Sequence, residues 1–228
     1  MNAKILMYAA LKELEKVSKG SLSGTKIEIA GDVIHKFAIY SAVAAATACV
    51  IPGPGGLIAA VSQAGFIWGT YVKINEVLGI SMKENVAKFI GSAVLTNIAT
   101  GAVSYMTAYL ITQIIQWLPG ANLLTIAFMA AMSYALIYVS SLLYLKILTE
   151  VMKVKGSFDM DNSAATKEII DGVCRATNIK KALDEAREQF KDSKADFQAA
   201  KNNPKCPYCG ESIKPGQKFC SMSGMPLK

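Results

Sequence analysis

The sequence predicts an all-α chain: integral membrane helical hairpins with two to four membrane segments, an amphipathic or coiled-coil helix, and a small C-terminal zinc-ribbon-like tail. Three observations predict it. No charged residue occurs from Phe37 to Val72 or from Phe89 to Leu145, although the 228 residues include 24 Lys and Arg and 17 Asp and Glu. Apolar residues recur every seven positions from Ile169 to Phe197, with charges on the other faces. Finally, Cys206-Pro207-Tyr208-Cys209 and Cys220-Ser221-Met222-Ser223 flank a short polar turn in the spacing of a zinc ribbon.

Residues 1–30 read as an N-terminal amphipathic helix and linker. Ile5, Leu6, Ala9, Leu11, Leu14 and Val17 face one way, Lys4, Lys12, Glu13, Lys16 and Lys19 the other, and Gly20 ends the run. Such a helix lies on a membrane surface or packs on its own protein. The charges at Lys12, Glu13 and Glu15 argue against a cleaved signal peptide.

The membrane hairpin domain is expected over 31–155, with hairpins at about 37–72 and 89–145. A water-facing helix needs a polar face, and these blocks have no charge to offer, which fits 52% hydrophobic composition and a mean hydropathy of +0.32. Ile51-Pro52-Gly53-Pro54-Gly55-Gly56 and Trp117-Leu118-Pro119-Gly120-Ala121-Asn122 each split a block into two helices. The second hairpin supplies arms near the roughly 20 residues a span requires. The first is shorter, so its spanning depends on His35 and Lys36 snorkelling or on a turn held within the bilayer. The competing reading is a soluble bundle with an all-apolar core.

A shift of 67 residues aligns Pro52-Gly53 with Pro119-Gly120, Leu57 with Leu124, Ala64 with Ala131 and Tyr71-Val72 with Tyr138-Val139, the pattern of an internal repeat. Lysines flank the hairpins and are absent from their turns: Lys26 and Lys36 precede, Lys73, Lys83 and Lys88 lie between, and Lys146, Lys153 and Lys155 follow. By the positive-inside rule the termini and middle loop face the cytoplasm.

Thr96, Thr100, Ser104 and Thr107 share one helix face at spacings of four, four and three. That face either lines a polar pathway in an oligomeric, channel-like assembly or glues helices together.

Residues 156–203 form the amphipathic or coiled-coil segment. Ile169, Ala176, Leu183, Phe190 and Phe197 make a seven-residue stripe, and Ile179, Ala186 and Ala200 sit three places after its members. A single helix over about 163–202 is expected, either self-associating, binding a partner, or packed on the body.

The degenerate zinc ribbon occupies 204–228. Zinc prefers four thiolate or imidazole ligands, and here Cys206, Cys209 and Cys220 are joined by Ser223 where a fourth Cys belongs. Zinc with a weak fourth ligand, a metal-free remnant and a redox-active thiol cluster all remain open. Cys49 and Cys174 read as packing residues.

Around Ile51, Pro52, Pro54 and Gly55 the chain resembles the YcjF-like family of bacterial GTPase-associated membrane domains, whose mark is an Ile-Pro-x-Pro-Gly turn between two apolar helices. The resemblance covers about 30–150, although Gly56 and Leu57 stand where members commonly carry a polar or acidic residue. It implies a helical domain of the bacterial inner membrane and, as partner, a GTPase on a separate chain. The tail is similar to the short zinc ribbons of bacterial membrane proteins, which end Phe-Cys-x-x-Cys-Gly.

No catalytic residues are expected. His35 is the lone histidine, and Gly20-Ser21-Leu22-Ser23-Gly24-Thr25-Lys26 is one residue short of a phosphate loop. The net charge of +7 follows the membrane edges and alternates with acids along the stripe, so nucleic acid is not an expected partner. The sequence thus predicts a scaffold presenting a helix and tail to a cytoplasmic partner, with lipid bilayer and its own copies as further partners; the alternative is an oligomeric pore.

Overall fold

A computed structural model of the chain describes residues 3–18, 20, 22–48, 55–103, 107, 123–203, 205–206, 210–213 and 220. Among them are eight α-helices and no strand beyond an isolated antiparallel bridge between Lys205 and Ser212. We number them α1 (Ala3–Val17), α2 (Gly24–Ala48), α3 (Gly55–Leu78), α4 (Glu84–Gly101), α5 (Leu123–Lys155), α6 (Ala164–Ala176), α7 (Ile179–Asp192) and α8 (Lys194–Asn202).

The helix ends follow from local chemistry. Past α3, Gly79 adopts φ +73, so its N–H reaches the Glu76 carbonyl while Ile80 N–H donates to the Asn75 carbonyl at 2.8 Å. This closes the helix with a left-handed residue that only glycine adopts cheaply. Gly156, at φ +69, ends α5 in the same way by donating to the Met152 carbonyl.

Ser163 caps α6 by accepting from Thr166 N–H, and the Asp161 carboxylate accepts from both the Ser163 and Thr166 hydroxyls, at 2.5 and 2.9 Å. These bonds, the Ser163 hydroxyl first, hold Asp161 down to about 2 from its ordinary 3.8. A group whose acidity is raised on folding stabilises the fold above its unfolded pKa and loses that contribution as pH falls through its folded one. Acidification from about 4 to about 2 should therefore fray α6, and Asp161→Asn should remove that pH dependence. Amide exchange at residues 164–168 reads it; equal fraying in both proteins would refute this account of the cap.

The longest helix sits in the middle. α5 is buried on nearly every side from Met129 to Val151, packed by α1, α2, α3, α4, α6 and α7. α2 and α5 are the two helices, among the described residues, long and apolar enough to cross a membrane; in their most apolar windows 50% of α2 and 78% of α5 are covered by protein. The uncharged run from 129 to 145 thus faces protein, because the surrounding helices close over it.

α3 lies beside α5 with a steady offset. Gln63 bonds Ser133, Tyr71 reaches the Ser140 carbonyl at 3.0 Å, and the Tyr144 hydroxyl donates to Asn75 Oδ1 at 2.6 Å. Contacts between residues i and i+69 or i+70 require the two helices to run parallel. The Tyr71 and Tyr144 rings stack between them with centroids 4.0 Å apart. Ser41 adds α2 to this polar column by donating to Gln63 Oε1. Buried polar groups are tolerated here because they satisfy one another.

The single helix expected over about 163–202 is corrected. The segment breaks at Thr177-Asn178 and at Ser193 into α6, α7 and α8, and Asn178 caps α7 by accepting from Lys181 N–H. The seven-residue stripe does not form a projecting coiled coil: Leu183, Ile179, Ala186 and Ala200 are buried against the body, and Phe190 and Phe197 are half-buried on it. The stripe faces inward in α7, whereas in α6 the buried face is Thr166, Ile170, Val173 and Cys174 and the stripe residue Ala176 is exposed.

Candidate functional site

Two places gather chemistry. The first is the start of the tail. Gly210 takes φ +77 and donates its N–H to the Cys206 carbonyl at 2.8 Å, while Cys206 N–H donates to the Glu211 carbonyl at 2.7 Å. With the Lys205–Ser212 bridge this makes the tight turn that a Cys-x-x-Cys-Gly knuckle needs, where glycine alone accepts the left-handed backbone. Cys206 and Cys220 are both buried. Cys209 and Ser223 lie outside the described residues, and among those described no three His, Cys, Asp or Glu side chains gather as a metal site. Cys206 sits on the knuckle turn, and thiols such as those of Cys206 and Cys220 are a donor type that suits zinc.

The knuckle rests on the body. The Tyr40 hydroxyl of α2 meets the backbone of Lys205, with Cys206 beside it. Metal supplies folding energy to such a small unit, so Cys206→Ser is expected to remove zinc from protein purified without added metal. Near one zinc per chain in the parent, absent in the variant, is the expected elemental analysis; no zinc in the parent would leave the turn a remnant.

The second place is a polar hub that the sequence reading missed. His35 Nδ1 lies 3.1 Å from the Tyr134 hydroxyl, and His35 Nε2 lies 3.0 Å from Asp196 Oδ2. Ser193 and Gln189 lie close to the same tyrosine hydroxyl, with the Ser193 hydroxyl donating to the Gln189 carbonyl at 3.2 Å. Four helices, α2, α5, α7 and α8, therefore meet at one hydroxyl and one imidazole. The histidine, expected at a membrane edge, instead ties α2 to α8. Its partners stand 99 and 161 residues away, and no local spacing announces them.

Of the threonine face, Thr96 and Thr100 lie on the outer side of α4, which ends at Gly101 before Thr107. Thr96, Thr100 and Thr107 are exposed, Thr96 donating to the Ser92 carbonyl and Thr100 to the Thr96 carbonyl; Ser104 lies outside the described residues. Within one chain this face neither lines a pathway nor packs helices together. Of the turn motif, Gly55 begins α3, and Ile51, Pro52 and Pro54 lie outside the described residues.

Two clefts open between the helices. One, about 440 Å³, is lined by Glu13, Lys146, Glu150, Ile169 and Thr177 between α1, α5 and α6; the Lys146 ammonium donates to Thr177 Oγ1 at 3.1 Å. The other, about 320 Å³, lies between α3 and α4 over Gly65 and Gly91, with the Lys88 ammonium 4.9 Å from the Trp68 ring centre. Cys174 is buried in α6, and burial pushes its thiol up to about 11, which makes it inert at neutral pH. The chain matches no family model, no curated protein and no solved structure, so its function is read from this geometry alone.

Proposed function

We propose that the chain is a non-enzymatic scaffold of the bacterial inner membrane, with cytoplasmic termini, that offers its C-terminal helices and zinc-ribbon tail to a partner such as a GTPase on a separate chain. One observation carries the reading. Charge in the paired helices is confined to one end: it stops at Lys36 in α2, begins again at Lys73 in α3, stops at Lys88 in α4 and resumes at Lys146 in α5. α2 with α3 and α3 with α4 are packed neighbours, so these limits define a charged end and an uncharged end of the paired helices themselves. Such axial polarity suits a bilayer, where lysines mark the headgroup level.

Fractionation of cells making the full chain tests it. Retention in the membrane through carbonate washing, with release by detergent, is expected. Recovery in the soluble fraction would sink the membrane reading.

A second reading, an oligomeric channel, draws support from the outward hydroxyl face of α4, which a ring of copies could turn toward a shared path. Thr96→Val with Thr100→Val should then lower conductance in planar bilayers while leaving the oligomer intact. No conductance from the parent protein would remove this reading.

A further inference from the structure

α7 runs antiparallel along α5. Thr177, just before α7, meets Lys146; Gln189 lies beside Tyr138; the Phe190 ring lies 5.4 Å from that of Tyr134; and the Arg187 guanidinium stands 5.5 Å from the Phe128 ring centre. α7 therefore covers α5 from Lys146 to Phe128, almost the whole uncharged stretch. α8 treats α2 likewise, with Asp196 at His35 and, just beyond its end, Lys205 at Tyr40.

The outer face of this cover exposes Lys180, Lys181, Asp184, Glu188, Lys191 and Asp192. If α5 crossed a bilayer with α7 in place, these charges would sit at hydrocarbon depth, where ionised side chains are strongly disfavoured. The covered arrangement and a spanning α5 therefore exclude each other. Yet residues 123–145 have the length of a hydrocarbon core, roughly 20 residues at a rise of about 1.5 Å each, and a hydropathy that suits them to one.

We propose that α7 and α8 form a strap over the bilayer-entering surface of α2 and α5, and that a lipid bilayer takes the strap's place when those helices insert. The break at Thr177-Asn178 is the hinge. The hub of Tyr134, His35, Gln189, Ser193 and Asp196 is the pin, and it is the one point where strap and both candidate spans share polar bonds. Phe190, tilted against Tyr134 with planes 44° apart and packed edge-on against Phe197 at 5.5 Å, is the apolar half of the same fastening. The inference rests on the membrane reading above and adds a closed state to it.

The test uses the full chain with a photoreactive benzoylphenylalanine in place of Phe190. Illumination before mixing welds the strap to α5, as checked by mass spectrometry of the joined peptides. Vesicles of phosphatidylethanolamine and phosphatidylglycerol are then added, and the carbonate-resistant fraction that floats with them is measured. Unwelded protein is expected to insert and welded protein to remain outside. Asp196→Ala, which removes a carboxylate 65% exposed and leaves the core alone, should speed insertion by about 2- to 10-fold, the worth of one ordinary solvent-exposed hydrogen bond. Equal insertion of welded and unwelded protein would overturn the strap and leave the membrane reading standing. No insertion by the unwelded, Asp196→Ala and Leu183→Asp proteins alike would overturn both.

Discussion

Tyr144→Ala is expected to lower the stability of the helical body by about 3–5 kcal/mol, the range for truncating a large buried aromatic. Tyr144 is fully buried, stacks on Tyr71 with planes 8° apart, and gives its hydroxyl hydrogen to Asn75. Truncation leaves a cavity between α3 and α5, strips a ring from the stack and leaves a buried amide oxygen without its donor. Tyr144→Phe separates these losses. It keeps ring and volume but orphans Asn75 Oδ1, which costs about 1–3 kcal/mol. A cycle with Tyr71→Ala should return a coupling of about 0.5–1.5 kcal/mol for the stacked pair. Thermal unfolding in detergent, followed by circular dichroism, measures all three; a Tyr144→Ala change below about 1 kcal/mol would mean that α3 and α5 do not pack through this pair.

Leu183→Ala should cost about 2–5 kcal/mol, and the loss should be local. Leu183 is fully buried, whereas Glu188 on the same helix is exposed and paired only with Lys191. Glu188→Ala is therefore the control, with a change within about 0.5 kcal/mol. Hydrogen exchange distinguishes local from global loss: amides at 179–203 should exchange faster in Leu183→Ala while α3 and α5 keep their protection. Uniform acceleration across the chain would show that the strap and the body unfold as one unit.

The hairpins were legible because their signals are local. An uncharged run split by Pro and Gly predicts two helices and a turn; α3 begins at Gly55 and α5 at Leu123, just past those signals, while α2 starts earlier and α5 ends later than the uncharged runs and α4 ends at Gly101, short of the arm expected to 117. Gly20 likewise marked the end of α1. The break after Ala176 had a signal that the stripe concealed: Asn178 is a good capping residue, but the seven-residue period of Ile169, Leu183 and Phe190 runs across it. What covers α5 was not legible. An apolar run states that a surface must be hidden from water and says nothing of what hides it. The hub was invisible for the same reason, since His35, Tyr134 and Asp196 are brought together only by the crossing of three helices. The outward direction of Thr96 and Thr100 on α4 depends on packing that no period of four contains.

The contact between Tyr40 and the backbone of Lys205 places the first thiol of the tail against an apolar helix. Binding at the thiols and the seating of α8 are therefore thermodynamically linked. Any metal or oxidant that prefers the seated knuckle draws α8 onto α2 by the same factor by which seating raises its own affinity. A tail of a few thiols can in this way set the balance of a body many times its size, and the body can report its own state as a change in thiol affinity.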